Sequence, residues 1–316
     1  MATTIEDRRA RIGALAFDYA SQPVARVTAC NLCGGSTFIT LTHRDRYHYP
    51  AEASGCRQCG LVFLNPVMTA EAYGHFYAHT YRPLVSAFHG RLIDAITIQD
   101  EQRQYAAERV AFVEPFVAGP DRSGESAAAV QGGTLLDIGG STGVVAHLFA
   151  ERFGMQATVI DPSPIEAAQA QRLGIETITG LVESIDLGSR QFDLVIVCQT
   201  VDHLLDIAGT LRRVRALLRP GGRLFIYIVD LRAGYLRNWS IEDTIKIDHP
   251  YYLTEETMSA YLARCGFEIL AIDYAADHLH VGYVCRPGAP VSDALPSPAS
   301  ADALFREIRY VQNAKR

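Results

Sequence analysis

Between residues 134 and 285, short apolar runs alternate with segments of helical length, and this alternation limits the fold more than any other feature of the sequence. Amphipathic segments between strands predict a parallel sheet with helices on both faces. The predicted strands are residues 134–138, 157–161, 176–179, 192–198 and 222–229.

The end of this region has a different pattern. After a predicted helix at 255–265, two more strand candidates follow closely, at 267–274 and 279–285. They leave no room for a crossover helix, so they are predicted to pair as an antiparallel hairpin. A parallel sheet that ends in such a hairpin is unusual for a dinucleotide-binding fold. The predicted fold class is therefore α/β, Rossmann-like, with seven strands.

Composition divides the remaining chain into further parts. A run of small and polar residues at 119–133 indicates a flexible linker, and the segment before it has helical periodicity. The predicted parts are an extension (1–27), a cysteine-bearing module (28–68), a helical connector (69–118), the linker (119–133), the α/β domain (134–285) and a tail (286–316) with a helix at 302–313.

Overall composition excludes some classes of function. The chain has 316 residues and a formal net charge of −6, so it has no general attraction for the phosphates of nucleic acid. No apolar run approaches the roughly 20 residues that cross a bilayer, and the N-terminus lacks the apolar stretch of a secretory signal. We therefore expect a cytoplasmic protein with no membrane span. The sequence does not predict an oligomeric state.

A glycine-rich turn follows the first strand of the α/β region. Asp137 ends the strand, and Gly139, Gly140 and Gly143 lead into the next helix. Such a turn lets backbone approach a ligand closely, and Asp137 suits a ligand's ammonium group. About 20 residues further on, Asp161 ends the second strand, where a carboxylate accepts hydrogen bonds from ribose hydroxyls. Together these features predict an adenosine site.

These residues resemble the class I S-adenosylmethionine (SAM) dependent methyltransferases over about 134–285. Their loop pattern, Asp-x-Gly-x-Gly-x-Gly, is matched at Asp137, Gly139 and Gly143, with Ser141 in place of the middle glycine. The resemblance implies SAM as cofactor. The cofactor-binding residues that it implies are Asp137, Gly139, Gly140, Ser141, Gly143, Asp161, Pro162, Leu181, Val182, Glu183 and Gln199, with Tyr77 and Tyr81 closing the pocket from the N-terminal side.

Within that set, the resemblance implies that Asp137 and Gly139 face the methionine part, Asp161 the ribose, and residues 180–183 the adenine. Many relatives have an acid at the position of Leu181; here the backbone or Glu183 is expected to bind the adenine amino group. The alternative is a glycine turn that only connects two elements. The G-x-G-x-x-G pattern of nicotinamide and flavin enzymes does not fit.

Four cysteines form two C-x-x-C-G units, 22 residues apart: Cys30, Cys33, Cys56 and Cys59. Two such turns facing each other give the closed four-sulfur site that suits structural Zn²⁺. Redox chemistry or simple burial of thiols is the alternative. The other three cysteines, Cys198, Cys265 and Cys285, lie in apolar segments and are predicted to be core residues.

The cysteine module also resembles the N-terminal zinc module of a methyltransferase subgroup, through the string 59–66 and the aromatic residues Phe76, Tyr77 and Tyr81. That subgroup includes enzymes that methylate carbons of nucleotide-linked deoxysugars, and others in glycan and natural-product pathways. Known sugar C-methyltransferases of this type are longer. The resemblance therefore implies a sugar, glycan or natural-product acceptor without naming it, or the atom (O, C or N) that is methylated.

Ligands in open α/β sheets lie beyond the carboxyl ends of the strands, where the loops after the fourth and fifth strands meet. The first of these loops contains Asp202 and His203, and the second contains His249. In the sugar C-methyltransferase relatives a histidine at the place of His203 serves as base, so His203 is the leading catalytic candidate and His249 the second. An acid–histidine pair that only shapes the cofactor pocket is the alternative.

A long segment after the fifth strand, 230–253, includes Tyr235, Trp239, Tyr251 and Tyr252, and its aromatic content suits a cover for bound substrate, although ordinary packing explains these rings equally well. The predicted reaction is in-line methyl transfer to a small molecule. Two other interpretations stay open: an RNA methyltransferase whose zinc module binds nucleic acid, and a SAM-binding scaffold without activity.

Overall fold

The computed structural model describes residues 4–118, 130 and 132–314. The predicted linker at 119–133 lies mostly outside these residues; of its residues only Val130, Gly132 and Gly133 are described, and Val130 is buried. The described residues form three sheets, and their buried apolar side chains pack in three clusters. None of the described helices is both long and apolar enough to span a membrane.

The strands alternate with helices from residue 134 onward, as the sequence predicts. The strands are β1 (Val24–Ala25), β2 (Phe38–Thr42), β3 (Ala53–Cys56), β4 (Val62–Leu64), β5 (Val67–Met68), β6 (Thr134–Ile138), β7 (Gln156–Asp161), β8 (Glu176–Thr179), β9 (Phe192–Cys198), β10 (Leu218–Val229), β11 (Tyr251–Tyr252), β12 (Phe267–Tyr274) and β13 (His280–Pro287). The helices are α1 (Ile5–Gly13), α2 (Ala70–His79), α3 (Tyr81–His89), α4 (Ile98–Val117), α5 (Val144–Phe153), α6 (Pro164–Arg172), α7 (Ile207–Leu217), α8 (Leu231–Asn238), α9 (Glu255–Arg264) and α10 (Pro298–Ala314), with 3₁₀ turns at Tyr19–Ser21, Val182–Ser184 and Val201–His203.

Seven strands form the main sheet, in the order β12-β13-β10-β9-β6-β7-β8. Strands β6 to β10 are parallel, while β13 is antiparallel to both β10 and β12. The central strands are almost completely buried on both faces, which explains their continuous Leu, Ile and Val content. The predicted fold class, with its terminal hairpin, is confirmed.

The strand order reverses between β6 and β9. The chain runs outward through β7 and β8 and then returns to place β9 on the other side of β6. Helices that leave the neighbouring strands β6 and β9 therefore go to opposite faces of the sheet, which opens a crevice at the carboxyl ends of these strands. This crevice is the place where the fold positions a ligand.

The cysteine-bearing module forms a second sheet, of four strands in the order β11-β4-β3-β2. Its edge strand β11 comes from the segment after β10, and Tyr251 and Tyr252 pair with Phe63 and Val62 of β4. A polypeptide that is distant in sequence thus completes the module. The sequence did not predict this pairing, because two-residue strands have no periodicity to detect.

Several elements differ from their predictions. Strand β10 begins at Leu218 rather than at residue 222, and β13 spans His280–Pro287 rather than 279–285. The helix α8 at Leu231–Asn238 was not predicted; it begins where the side chain of Asp230 accepts a hydrogen bond from the backbone N–H of Ala233, at 2.8 Å. The last helix, α10, begins at Pro298 rather than at residue 302. It covers the module sheet, where the ring of Phe305 fills the space beside Gly55.

Candidate functional site

A cavity of about 370 Å³ lies at the carboxyl ends of β6, β7 and β9. Residues from α2, α3 and α4 also line it. Of the residues that the sequence predicted for cofactor binding, Tyr77, Tyr81, Asp137, Gly139, Gly140, Ser141, Asp161, Pro162, Leu181, Val182, Glu183 and Gln199 line it. Gly143 does not; it precedes α5, and a Cβ there would come within 2.6 Å of the Ala170 Cβ.

The glycine turn is tight because protein atoms surround it. A Cβ on Gly139 would lie 2.3 Å from a side-chain carbon of Thr200, and one on Gly140 would lie 2.7 Å from a carboxylate oxygen of Asp137. Gly139 also has a φ of +72°, which disfavours other residues. We expected side chains here to occupy the ligand's space; in the structure they would first collide with Thr200 and Asp137.

Asp137 is buried at the end of β6, and neither of its carboxyl oxygens has a hydrogen-bond partner among the described residues. Burial, with a smaller contribution from Asp161, raises the pKa of Asp137 to about 8. A buried carboxyl group without partners is costly, and such groups occur where a ligand supplies the missing contact. Asp137 therefore fits a cationic ligand that donates hydrogen bonds into the cavity.

Asp161 ends β7 and is held by backbone. One oxygen accepts from the N–H of Ser141 at 2.9 Å, and the other accepts from the N–H of Ser163 at 2.8 Å. Burial and then Glu166 raise the pKa of Asp161 to about 7, against the opposing effect of these hydrogen bonds. Each carboxylate oxygen keeps a lone pair, so Asp161 can still accept two hydroxyl groups.

Ser141, the departure from the family's glycine pattern, connects the loop to the helical connector. Its hydroxyl bonds the carboxylate of Glu166, and it accepts from Gln102 at 3.1 Å and from Arg82 at 3.3 Å. Arg82 in turn pairs with Glu166. A glycine could form none of these side-chain contacts, so the serine fixes the loop against α3 and α4.

The predicted adenine end of the cavity is built by residues 180–183. Leu181 and Val182 supply an apolar wall. Glu183 lines the cavity as well, but one of its carboxylate oxygens already accepts the backbone N–H of Leu205, at 2.7 Å. The other oxygen is the one that remains for a ligand's amino group.

His203 lines the cavity and has its tautomer fixed by Tyr77. The hydroxyl of Tyr77 lies 2.8 Å from His203 Nδ1 and 3.0 Å from the backbone oxygen of Asp248. That carbonyl can only accept, so it takes the single hydroxyl proton, and Nδ1–H of His203 donates to Tyr77. Burial, followed by the charge of His249, lowers the pKa of His203 to about 4. His203 is therefore neutral at pH 7, with a lone pair on Nε2.

His249 lies behind His203 and does not itself line the cavity; the two ring centroids are 4.2 Å apart. Its Nδ1 is 2.7 Å from a carboxylate oxygen of Asp202, and its Nε2 is 3.3 Å from one of Asp248. Burial alone would lower the pKa of His249, yet these carboxylates outweigh burial and raise it. Asp202 thus contacts His249, and it too is outside the cavity.

The aromatic residues of the segment after β10 are not at the cavity. Tyr235, Tyr251 and Tyr252 are buried in the core, and Trp239 is exposed on the surface. The residue of this segment that does line the cavity is Lys246, which the sequence analysis did not select. A signal was available in its rarity, because the chain contains only two lysines.

The four cysteine sulfurs lie within 4.8 Å of one another. The distance from Cys30 Sγ to Cys59 Sγ is 3.6 Å, and that from Cys33 Sγ to Cys56 Sγ is 3.5 Å. Zn–S bonds of about 2.3 Å place the sulfurs of a tetrahedron about 3.8 Å apart. The backbone N–H of Gly35 points at Cys33 Sγ, at 3.4 Å, as in sites that stabilise thiolates. The arrangement therefore fits a four-sulfur metal site.

Asn31, between the first two cysteines, connects this cluster to the end of the loop that carries His203. Its Oδ1 accepts from the backbone N–H of Ala208 at 3.1 Å and from the hydroxyl of Tyr261 at 3.0 Å. Its Nδ2 donates to Asp206 at 2.8 Å. Asp206 and Ala208 lie at the start of α7, directly after the segment that carries His203. The cysteine module thus holds the end of that loop.

Comparison with known proteins agrees with this geometry. Residues 100–272, more than half of the chain, match a family model described as a methyltransferase domain. The chain is 34% identical over 102 residues to the ubiquinone biosynthesis O-methyltransferase of Methylocella silvestris, covering 30% of this chain and 40% of that protein. The enzyme of the same name from Caulobacter vibrioides is 30% identical over 174 residues, or 49% of this chain and 68% of that protein.

Among solved structures, the Burkholderia thailandensis 1,6-didemethyltoxoflavin-N1-methyltransferase has a TM-score of 0.49 and 18% identity, covering 72% of this chain and 96% of that one. The chain spans less than half the length of several of the curated relatives it matches. By its family match, the chain belongs to the family of methyltransferase domains. The prediction of a methyltransferase from the glycine loop is thereby confirmed.

Proposed function

We propose that this protein transfers the methyl group of SAM to a small-molecule acceptor. The observation that carries the proposal is Asp137, whose two buried oxygens have no partner among the described residues and which shares a cavity with Asp161. An ammonium group and a ribose with two hydroxyls satisfy both acids at once. SAM carries both groups, and its sulfonium supplies the reactive methyl.

The cofactor would be held by side chains whose chemistry fits its parts. Asp137 would accept from the ammonium, Asp161 from the ribose hydroxyls, and the free oxygen of Glu183 from the adenine amino group. Tyr77 and Tyr81 line the cavity, where their ring faces suit a neighbouring cation. Their hydroxyls stay protonated, because burial raises the pKa of each.

His203 is the group that we propose to hold the acceptor's proton. It lines the cavity, is neutral, and presents the lone pair of Nε2 because Nδ1–H donates to Tyr77. His249 and its two carboxylates lie directly behind it and set its charge environment. His249, with Asp202, remains the second candidate base. Alignment of the acceptor with the methyl group would supply most of the remaining rate enhancement.

The acceptor class follows from the relatives only in part. The curated relatives are named O-methyltransferases, which supports oxygen as the methylated atom. We retain a sugar, glycan or natural-product intermediate as the acceptor class, as the cysteine module's resemblance implies. A test with purified protein would incubate it with labelled SAM and fractions of a metabolite extract, and follow label transfer; transfer only to RNA would contradict a small-molecule acceptor.

Cofactor binding can be tested without knowing the acceptor. Asp161→Ala should weaken SAM binding about tenfold or more in calorimetry, since hydrogen bonds to a charged group contribute about 1.5–3 kcal/mol. The matched control is Asp273→Ala, an exposed carboxylate on β12. Equal affinity in the wild type and both variants would contradict the proposed ribose site.

We also propose that Cys30, Cys33, Cys56 and Cys59 bind one structural Zn²⁺. Elemental analysis of the purified protein should find about one zinc per chain, as one closed tetrahedral site requires. Cys59→Ser should reduce this content, whereas Cys265→Ala, a buried cysteine outside the cluster, should not. Wild-type protein free of zinc, copper and iron would overturn the assignment.

A further inference from the structure

Lys246 is unusual in this chain. Only two of its 29 Lys and Arg residues are lysines, and the other, Lys315, lies outside the described residues. Every other basic position uses arginine. The one lysine in the described part of the chain lines the cavity, beside the candidate catalytic histidines.

The backbone around Lys246 is fixed on both sides. Its backbone N–H donates to the hydroxyl oxygen of Tyr252 at 2.6 Å. The same hydroxyl group donates its proton to the backbone carbonyl of Lys246, also at 2.6 Å. The next N–H, of Ile247, donates to the buried carboxylate of Asp45 at 3.1 Å, and the carbonyl of Ile247 accepts from Tyr73 at 2.9 Å. A side chain on such a support is held in position before any ligand arrives.

The ammonium of Lys246 has more N–H donors than partners among the described residues. Its Nζ lies 3.1 Å from His249 Nε2, and no carboxylate of the described residues lies within ion-pairing distance of it. The nearest acids, Asp202 and Asp248, each contact His249. An ammonium has three N–H donors, and the contact with His249 engages at most one of them, so at least two are left for the cavity.

The other cations of the cavity are already paired. Arg82 pairs with Glu166, and Arg91 lies 3.5 Å from Glu101. Among the described residues that line the cavity, Lys246 is therefore the lysine or arginine that makes no ion pair. Burial lowers its pKa, with partial compensation by Asp248, and an anionic ligand would reverse that effect.

We propose that Lys246 binds the ionised hydroxyl oxygen of the acceptor, and that, of the acceptor classes retained above, the acceptor is accordingly a natural-product intermediate with an acidic hydroxyl, such as a phenol or an enol, rather than a sugar alcohol. This inference rests on the proposed function, which it deepens by naming the acceptor's chemistry. A cation beside the nucleophilic oxygen favours its ionised form. The hydroxyl proton would pass to Nε2 of His203, and the ionised oxygen would attack the methyl carbon of SAM as the bond from that carbon to sulfur breaks.

A cation in this cavity complements His203, which lines the same cavity. With a pKa of about 4, His203 is too weak a base to hold the proton of an ordinary alcohol at equilibrium. A hydroxyl group that is already acidic, and whose pKa a neighbouring ammonium lowers further, can give its proton to such a weak base. A compact ammonium also leaves more of the cavity to the acceptor than the broader guanidinium group of arginine would.

The rarity of lysine gives a direct test. Protein labelled with ¹³C at the lysine Cε positions should show two resonances, of which Lys246→Met removes one. We would titrate the wild type, saturated with S-adenosylhomocysteine, with 4-nitrocatechol as the probe. The Lys246 resonance should shift and titrate at higher pH, while the bound probe should ionise at lower pH than the free probe, as its absorbance reports. If neither the resonance nor the probe's ionisation changes, the proposal is overturned.

Affinity provides the second measurement. Lys246→Met should bind 4-nitrocatechol about tenfold more weakly than the wild type, and Lys246→Arg should recover part of this loss. Both should bind 4-nitroanisole, which has no ionisable hydroxyl, like the wild type. SAM affinity should be unchanged in both variants. If the wild type does not bind SAM, the proposed function is contradicted. If the wild type and Lys246→Met bind 4-nitrocatechol equally well, only the role of Lys246 is contradicted.

Discussion

At the level of single residues, the cavity contains a buried acid, Asp137, whose oxygens have no partner among the described residues. This buried carboxyl group costs stability unless a ligand contacts it. The sequence predicted this residue because it ends a strand before a glycine turn. It could not predict that Ser141 would bond Arg82 and Glu166, because these contacts join segments that are distant in the chain.

The raised pKa of Asp137 makes SAM binding depend on pH. Below pH 8 the carboxyl group of Asp137 is mostly protonated in the protein without ligand, whereas a bound ammonium group stabilises its ionised form. Affinity should therefore increase from pH 6 to pH 7.5, and binding at pH 7 should release protons. Calorimetry in buffers of different ionisation enthalpy measures this release.

Asp137→Asn provides the matched comparison for that experiment. It should weaken SAM binding about tenfold or more, since it removes a charge-assisted hydrogen bond. The dependence on pH should become shallower, with the remainder due to Asp161, whose pKa is about 7. An unchanged proton release in Asp137→Asn would show that this carboxyl group does not receive the ammonium.

His203 is the residue whose replacement should affect turnover most. His203→Ala should reduce kcat by about 10²- to 10⁴-fold, the range for loss of a general base, and leave SAM affinity near its wild-type value. Steady-state kinetics with an identified acceptor measures the first effect and calorimetry the second. His278→Ala, an exposed histidine, is the control. Wild-type kcat in His203→Ala would remove His203 from the mechanism.

At the level of secondary structure elements, the cysteine-bearing module contacts the loops that carry His203 and His249. Strand β11 follows His249 directly and pairs with β4, while Asn31 bonds the start of α7 after His203. The seven-stranded sheet was predictable because its strands are long and strongly apolar. The pairing of β11 was not, since a two-residue strand is defined by its partner rather than by its own sequence.

Asn31 should consequently affect catalysis although it lies outside the cavity. Asn31→Ala removes hydrogen bonds to Asp206, Ala208 and Tyr261, and should cost about 1–3 kcal/mol of stability. Thermal unfolding measures that loss. We also expect kcat to decrease more than KM changes, with zinc content retained. If only the melting temperature decreases, Asn31 is structural and does not position His203.

At the level of the whole molecule, the cysteine cluster is part of the same hydrophobic core as the methyltransferase fold. Cys30, Cys56 and Cys59 pack in one cluster with Leu204 and Tyr261. The sequence predicts the module as a segment of its own, because spacing along the chain shows ligands but not packing partners. The four sulfurs themselves were predictable from two short motifs.

Removal of the metal should therefore disturb more than the module. Treatment with a strong chelator should lower the melting temperature of the protein, because binding energy at such a site contributes to folding. SAM affinity should decrease less than turnover, since Asp137 and Asp161 lie on β6 and β7 while His203 and His249 lie next to the module. Re-addition of Zn²⁺ should restore both properties; an unaltered melting curve in metal-depleted protein would contradict this coupling.

The pairing of β11 with β4 has a consequence for recombination between homologous genes. A stretch of gene that encodes residues 134–285 alone would produce a catalytic half with β11 lacking its neighbour, and the surface that α10 covers would be lost with the preceding segment. Recombination between homologous genes should therefore not exchange the amino-terminal half of the protein independently of the rest. The segment around Lys246, β11 and the carboxy-terminal helix would have to be inherited together with the cysteine-bearing half.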